Sequence, residues 1–281
     1  MSDIILQHGF LLLAMACVFG FFMAYGVGAN DVANAMGTSV GAGAVTIKQA
    51  IIIAMVFEFA GAYLAGGEVT STIRSGIIDA EAAGFDTNPE LLVYGMLSSL
   101  LAAGTWLLLA TWKGWPVSTT HSIIGAIIGF AVVGVSVDSV NWGQVGSIAA
   151  SWIISPVFSG VIAFAIFMSV QHLVLDTDDP FGNAKKYIPG YIFLVGFVIS
   201  MVTLVKGLRH VGLEVTFGES AIYAMVVGLI TMAIGHFLIR RIQEDPAENE
   251  TNRFGSLERL FGVLMIFTAC SMAFAHGSND V

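Results

Sequence analysis

Charged residues are scarce in this chain. They make up 11% of its 281 residues, against 56% hydrophobic residues, and the mean hydropathy is +0.84. A soluble domain is about 25% charged, so the composition excludes a large soluble enzyme and fits neither a disordered protein nor a nucleic-acid-binding protein. The net charge of −9 also disfavours binding to a polyanion. The sequence predicts an integral membrane protein with an all-α fold.

Cysteine is nearly absent, and glycine is abundant. The two cysteines, Cys17 and Cys270, lie in apolar runs and show no spacing typical of a disulfide framework or a metal site. We interpret both as packing residues. The 32 glycines are typical of closely packed membrane helices.

Eight apolar stretches are long enough to cross a bilayer, which takes about 20 residues. They are residues 5–28, 46–66, 91–112, 117–137, 145–171, 189–206, 220–239 and 258–276. Between the first two lies an apolar stretch, about 30–45, that is rich in small residues and too short to cross. We predict a re-entrant or broken helix there, because the stretch contains Gly37, Gly41 and Gly43. Gly26 and Gly28 also make a break easy at the first motif.

Lys and Arg are distributed unequally between alternate loops. If the N-terminus is outside, eight of the 11 fall on the cytoplasmic side and three outside. The eight are Lys48, Lys113, Lys185, Lys186, Arg240, Arg241, Arg253 and Arg259, and the three are Arg74, Lys206 and Arg209. Cytoplasmic excess is the usual bias, so we predict an outside N-terminus. Because long hydrophilic insertions and a targeting sequence are lacking, we favour a prokaryotic inner (plasma) membrane.

The chain contains an internal repeat. Residues 23–32 and 272–281 are identical at six of ten positions, at a constant offset of 249. With eight spans the two copies end on opposite membrane faces, which is the inverted repeat of many secondary transporters. We predict a first repeat at 1–137, connecting spans and a cytoplasmic loop (241–256) within 138–257, and the start of a second repeat at 258–281. Because the second copy stops at Val281, we expect the sequence to be part of a longer protein.

The first copy of the repeat places an acid inside the membrane. Asp31 follows Asn30 and precedes Asn34, and the two asparagines share one helical face if the segment is helical. An ionisable group at membrane depth costs at least about 2.5 kcal/mol, so Asp31 needs water, a cation or a partner. Hard oxygen ligands suit Na⁺ or a proton-coupled site. A polar clamp between helices is the alternative interpretation.

A second polar cluster begins the fourth apolar stretch. It runs Pro116-Val117-Ser118-Thr119-Thr120-His121-Ser122, and Pro116 predicts the first turn of a helix. Hydroxyls and helix N–H groups donate hydrogen bonds without a full positive charge, so the cluster could cradle a tetrahedral oxyanion. Simple N-capping of the helix is the alternative. An intramembrane hydrolase using Ser118, His121 and Asp31 is disfavoured because no nucleophile elbow accompanies them.

Two further ionisable residues lie within spans. Glu58 is at least eight residues from either end of the second stretch, and a carboxylate there indicates a proton or cation partner or a gate. A structural hydrogen bond is the alternative. His276 lies at the end of the eighth stretch and directly precedes the polar part of the second copy, Gly277–Val281.

Taken together, the sequence resembles the inorganic phosphate transporter family (PiT, or solute-carrier-20 type). The resemblance depends on Gly28–Ala35 (GANDVANA), on Pro116–His121 (PVSTTH), on Glu58 and on the second copy, Phe274–Val281. It implies a phosphate symporter that works by alternating access and is driven by Na⁺ or H⁺. A sulfate or other oxyanion permease on the same scaffold is the alternative function. Neither would be an enzyme.

The family resemblance also implies roles for individual residues. Asp31 and Asp280, with Asn30 and Asn279, would hold the coupling cation, and the two aspartates would ligate Na⁺ if sodium is that cation. Asn34, Ser118, Thr119 and Thr120 would contact phosphate with His121 beside them, and Glu58 would be needed for transport. The family fold has two inverted repeats, each with a broken-helix hairpin. We expect a homodimer surrounded by lipid, with no nucleic acid and no cofactor beyond the coupling ion.

Overall fold

The computed structural model describes residues 3–66, 76–79, 83–85, 88–207, 215–244 and 255–279. Eight α-helices account for most of them. They are α1 (Asp3–Gly41), α2 (Ile47–Ala65), α3 (Pro89–Lys113), α4 (Thr119–Phe130), α5 (Trp142–Val170), α6 (Pro180–Val202), α7 (Phe217–Arg240) and α8 (Gly255–Asn279). Helices α4, α5 and α6 each continue into a single π-helical turn, at Ala131–Val135, Gln171–Leu175 and Thr203–Gly207.

Seven helices of the described chain are long and apolar enough to cross a membrane. The fourth predicted span, 117–137, is not among these seven, because its helical segment begins at Thr119 and ends at Val135. It pairs with α3 across the short link 114–118. Because α3 and α4 run in opposite directions, the chain returns towards the side from which α3 started. The all-helical fold class is therefore confirmed, while α4 falls short of a full span.

Helix α1 differs from the sequence-based expectation. We predicted a re-entrant or broken segment at about 30–45, but α1 continues without interruption from Asp3 to Gly41. The first positive φ follows at Gly43, +72°, where the chain turns towards α2. The 39-residue helix contains no proline. A break inside the membrane would leave backbone groups without partners, and glycine alone costs a helix only about 1 kcal/mol.

The described chain forms two compact units, and α1 contributes to both. The first unit contains residues up to 34 and the described residues of 76–151. Its core is the α3–α4 hairpin: Ser99 Oγ donates to the Ala126 carbonyl (3.3 Å), and the space beside Gly95 is filled by the Phe130 ring. Ile78 and Val140 form an antiparallel β-bridge against this core.

The second unit contains the described residues of 35–66 and 152–279. A buried apolar cluster joins α6, α7 and α8 through Ile188, Ile192, Ile239 and Leu260. Glycines allow close approach between α6 and α7, since a Cβ at Gly228 would lie 2.8 Å from the Phe193 ring. Helices in a membrane commonly pack through such small residues.

Helix α5 is exposed along its whole length. Every residue from Trp142 to Val170 is at least partly exposed, and side chains such as Val161, Phe164 and Phe167 are mostly exposed. Large apolar side chains in water would be a liability, whereas in a bilayer they contact lipid tails. The surface of the described chain is therefore that of a membrane protein. The repeat boundaries predicted at 137/138 and 257/258 stay a prediction, and residues 245–254 of the loop 241–256 lie outside the described residues.

Candidate substrate and cation site

The site in the first unit is organised around the buried side chain of Asn30. Its Nδ2 donates to the Trp115 carbonyl (3.1 Å) and to Thr111 Oγ1 (3.4 Å). Its Oδ1 accepts from the Val117 amide (3.4 Å) and from Asn34 Nδ2 (3.2 Å). A primary amide offers two donors and two acceptor lone pairs, so each of the four positions is used. Asn30 therefore holds the link 114–118, which precedes α4, against α1. This is the geometry of the polar clamp between helices that the sequence analysis gave as the alternative to a cation site.

Asp31 and Thr119 are joined by a short side-chain hydrogen bond. Thr119 Oγ1 donates to Asp31 Oδ2 at 2.6 Å, and the two residues are 4% and 2% exposed. A hydroxyl–carboxylate bond of this length is a charge-assisted hydrogen bond, which is stronger than a neutral one. The acid of the first motif and the first hydroxyl of α4 thus meet directly, although 88 residues separate them in sequence.

The start of α4 is built by Ser118, which is its N-cap. Ser118 Oγ accepts from the His121 amide (3.3 Å), and Ser122 Oγ donates to the Ser118 carbonyl (2.7 Å). The predicted first-turn position of Pro116 is wrong, because α4 begins at Thr119 and Pro116 lies in the link. The reason is that Ser118 satisfies an N–H of the first turn and so fixes the helix start at Thr119, three residues after the proline.

Exposed polar groups surround the buried pair of Asp31 and Thr119. Asn34, Ser118 and His121 are exposed and Thr120 is partly buried. The positive end of the α4 dipole lies among them, with first-turn N–H groups that have no acceptor inside the helix. Hydroxyl, amide and N–H donors beside one buried carboxylate can bind an anion once the negative charge of Asp31 is offset. The structure thus brings five predicted residues into one place in the first unit: Asn30, Asp31, Asn34, Ser118 and Thr119.

Two other predicted residues, Glu58 and Asn279, belong to the second unit. Helices α2 and α8 cross so closely that a Cβ at Gly277 would lie 2.6 Å from the Glu58 carbonyl carbon, and one at Gly61 would lie 2.9 Å from the Ser278 amide nitrogen. The backbone of Glu58 therefore packs directly on the second motif. Asn279 is exposed and donates from Nδ2 to the Ala275 carbonyl (2.8 Å). Asp280 lies outside the described residues.

Sequence reasoning missed the partners of Asn30 and a glycine of the helix crossing beside Glu58. Thr111 and the carbonyl of Trp115 bind Asn30, and no local pattern marks them because the contacts span 81 and 85 residues. Gly61 was also missed, although a glycine within one turn of an intramembrane carboxylate is a signal of close helix approach.

Comparison with known proteins is consistent with this arrangement of motifs. A family model described as "Phosphate transporter family" matches residues 27–281. The chain belongs to the phosphate transporter family. The matched region includes residues 27–32 of the first copy of the repeat, the whole of the second copy and the whole of the α3–α4 hairpin.

Individual relatives extend the comparison. The chain is 54% identical over 280 residues to a Haemophilus influenzae protein named "Putative phosphate permease", covering 99% of this chain and 66% of that protein. It is 38% identical over 287 residues to "Inorganic phosphate transporter 2-1, chloroplastic" of Arabidopsis thaliana, covering 96% and 49%. A solved structure named "The sodium-dependent phosphate transporter" is 38% identical with a TM-score of 0.86, covering 96% of this chain and 64% of that one.

Two conclusions follow for this family member. Together with its seven apolar helices, family membership makes the chain an integral membrane protein. The chain spans about two thirds of the length of the Haemophilus relative and of the solved transporter (66% and 64%).

Proposed function

We propose that this protein transports inorganic phosphate in symport with Na⁺ by alternating access. Family membership supports the substrate, and the name of the sodium-dependent structural neighbour supports the cation. The observation that carries the proposal is the buried contact between Asp31 and Thr119, 2.6 Å long. It joins the acidic motif to the cluster of hydroxyls at the start of α4.

The proposal gives each part of the site a separate task. Asp31 holds the coupling cation, and Asn279 and Asp280 do the same in the second repeat. Phosphate oxygens accept hydrogen bonds from Asn34, Ser118, Thr119 and Thr120, and His121 lies beside these donors. A cation at Asp31 offsets the charge of an anion that could not otherwise enter a low-dielectric site. Glu58 acts as a gate or proton partner where α2 packs on the second motif.

Asn30 takes a different role from the one that the family resemblance implied. Its amide oxygen already accepts two hydrogen bonds, at 3.2 and 3.4 Å, and its nitrogen donates two. An oxygen engaged in this way has no lone pair left for a cation. We therefore propose that Asn30 positions α4 and that the ligand to the coupling cation is Asp31.

The alternative substrate is sulfate or another tetrahedral oxyanion. Phosphate retains a proton near neutral pH that it can donate to a carboxylate, whereas sulfate does not. A buried carboxylate such as Asp31 beside the anion donors therefore favours phosphate. Competition of labelled phosphate uptake by unlabelled sulfate separates the two: weak competition supports phosphate, and equal competition supports a general oxyanion permease.

The wider setting is also part of the proposal. The excess of Lys and Arg on one side supports an outside N-terminus in a prokaryotic plasma membrane, with the α3–α4 hairpin returning the chain to the side from which α3 started. The repeated motif supports rocking of one repeat against the other as the transport movement. We further propose a homodimer, as in the family that the sequence resembles.

Substitution of Asp31 tests the assignment. We expect Asp31→Asn to abolish sodium-driven uptake of labelled phosphate by proteoliposomes while the protein remains folded, because the amide keeps the shape of the side chain and removes its charge. Asp138→Asn is the matched control, since Asp138 is an exposed aspartate of the same unit. Unchanged uptake by Asp31→Asn, or an equal loss in both variants, would contradict the proposal.

A further inference from the structure

Thr119 belongs both to the proposed cation site at Asp31 and to the proposed phosphate site. It is the first residue of α4, its side chain is 2% exposed, and its hydroxyl donates to Asp31. A hydroxyl has one proton to donate. While that proton is directed at Asp31, it cannot also be directed at a bound anion. The residue that the family resemblance marks as a phosphate ligand is therefore engaged elsewhere in this structure.

We propose that Thr119 couples cation binding to phosphate binding by exchanging its hydrogen bond between Asp31 and the anion. When the carboxylate carries no cation, the hydroxyl donates to Asp31. When the cation occupies Asp31, the hydroxyl turns to a phosphate oxygen. This inference rests on the proposed function and deepens it, since it assigns the coupling to one named side chain.

The exchange needs little movement. A hydroxyl hydrogen rotates about the Cβ–Oγ1 bond, and in a helix threonine divides its population between two χ1 rotamers. The acceptor strength of Asp31 decides where the hydrogen points, because a bond to an ionised acceptor is about twice as strong as one to a neutral acceptor. A bound cation neutralises most of that advantage, and the phosphate oxygens then become the stronger acceptors.

The surroundings distinguish Thr119 from its neighbour Ser118. The Asn30 clamp holds the link at Trp115 and Val117 against α1, so the start of α4 keeps a fixed distance from Asp31. Ser118, one residue earlier, is exposed and its Oγ accepts from the amide of His121. Ser118 would thus contact phosphate without exchanging partners. The two neighbours are predicted to behave differently on substitution.

Phosphate binding at equilibrium distinguishes these roles. The dissociation constant of labelled inorganic phosphate is measured on the purified protein in lipid nanodiscs, once in NaCl and once in choline chloride. The ratio of the two constants is the sodium coupling factor. The variants are Thr119→Val, which keeps the shape without the hydroxyl, Thr119→Ser, which keeps the hydroxyl, and Ser118→Ala.

We expect Thr119→Val to weaken phosphate binding in NaCl by about tenfold and to leave binding in choline nearly unchanged, so that the coupling factor falls by about the same tenfold. In choline the wild-type hydroxyl is engaged by Asp31, and its loss costs the anion little. Thr119→Ser should restore the factor. Ser118→Ala should weaken binding equally in both salts and leave the factor unchanged.

The outcomes separate this inference from the proposed function. If the wild-type protein binds phosphate more tightly in NaCl and Thr119→Val retains the full coupling factor, the exchange is refuted and phosphate symport stands. If the wild-type protein binds no phosphate in either salt, the proposed function itself is refuted. Should Thr119→Val fail to fold, Thr119→Ala serves as a second variant without a donor, and the same loss of coupling is required of it.

Discussion

The two copies of the repeated motif offer a matched pair of glycines, Gly28 and Gly277. They occupy equivalent positions in the repeat, at the offset of 249. A Cβ added at Gly28 would meet nothing within 4 Å, whereas one at Gly277 would lie 2.6 Å from the carbonyl carbon and the Cα of Glu58. The same substitution, glycine to alanine, should therefore have opposite effects at the two positions.

The expected magnitudes follow from these distances. Carbon atoms pack at about 3.5–4.0 Å, so α2 and α8 must separate by about 1 Å to admit the new methyl group at Gly277. The obstacle is helix backbone, which cannot rotate away, so the cost is near the upper end of overpacking, about 3 kcal/mol. The higher helix propensity of alanine offsets about 1 kcal/mol of this cost. The net loss for Gly277→Ala is about 2 kcal/mol, and Gly28→Ala should gain about 0.5–1 kcal/mol.

Thermal unfolding of the purified protein in detergent measures both effects, followed by far-ultraviolet circular dichroism. A loss of about 2 kcal/mol corresponds to a Tm lower by about 4–8 °C, and Gly28→Ala should raise the Tm slightly. Gly61→Ala is a second test of the same crossing, because its Cβ would lie 2.9 Å from the Ser278 amide nitrogen. Equal Tm values for Gly28→Ala and Gly277→Ala would refute the close contact between α2 and α8.

The remaining predictions concern the position of α4. Asn30→Leu should lower the free energy of unfolding by about 1–3 kcal/mol, since it leaves the Trp115 carbonyl and the Val117 amide without their partner. Asn34→Leu should cost less, because Asn34 is exposed and makes one hydrogen bond, to Asn30. Equal costs would contradict the role of Asn30 in holding the link to α1. Gly114→Ala should destabilise by about 1–2 kcal/mol, since Gly114 ends α3 at a φ of +69°; Gly129→Ala, with nothing within 4 Å of its Cβ, should not lower the Tm.

Much of the fold was predictable because membrane helices are long and apolar. The approximate positions of the seven spanning helices follow from hydropathy alone. The exceptions were the fourth stretch, where α4 is too short for a span, and α1, where the small residues at 30–45 and the glycines at 26 and 28 suggested a break. Glycine permits a break but does not force one, and a helix without proline keeps its hydrogen bonds inside the membrane.

The site was predictable in its members but not in its contacts. The sequence identified Asp31 and Thr119 as functional, yet assigned them to different ligands, since nothing local shows that residues 88 apart share a hydrogen bond. The sequence also left open whether Asn30 was a cation ligand or a clamp. That choice depends on the backbone of the link at 115–117, whose position is set by the tertiary packing of the α3–α4 hairpin.

The central claim is that the charge of a phosphate ion at this site is offset by Na⁺. The most direct measurement is labelled phosphate uptake into proteoliposomes that contain the purified protein, with an inward Na⁺ gradient or with choline in its place at fixed pH. We predict uptake that depends on the Na⁺ gradient and is absent in choline. Uptake that is independent of Na⁺ and follows an imposed pH gradient would contradict sodium coupling, and no uptake under either condition would contradict phosphate transport.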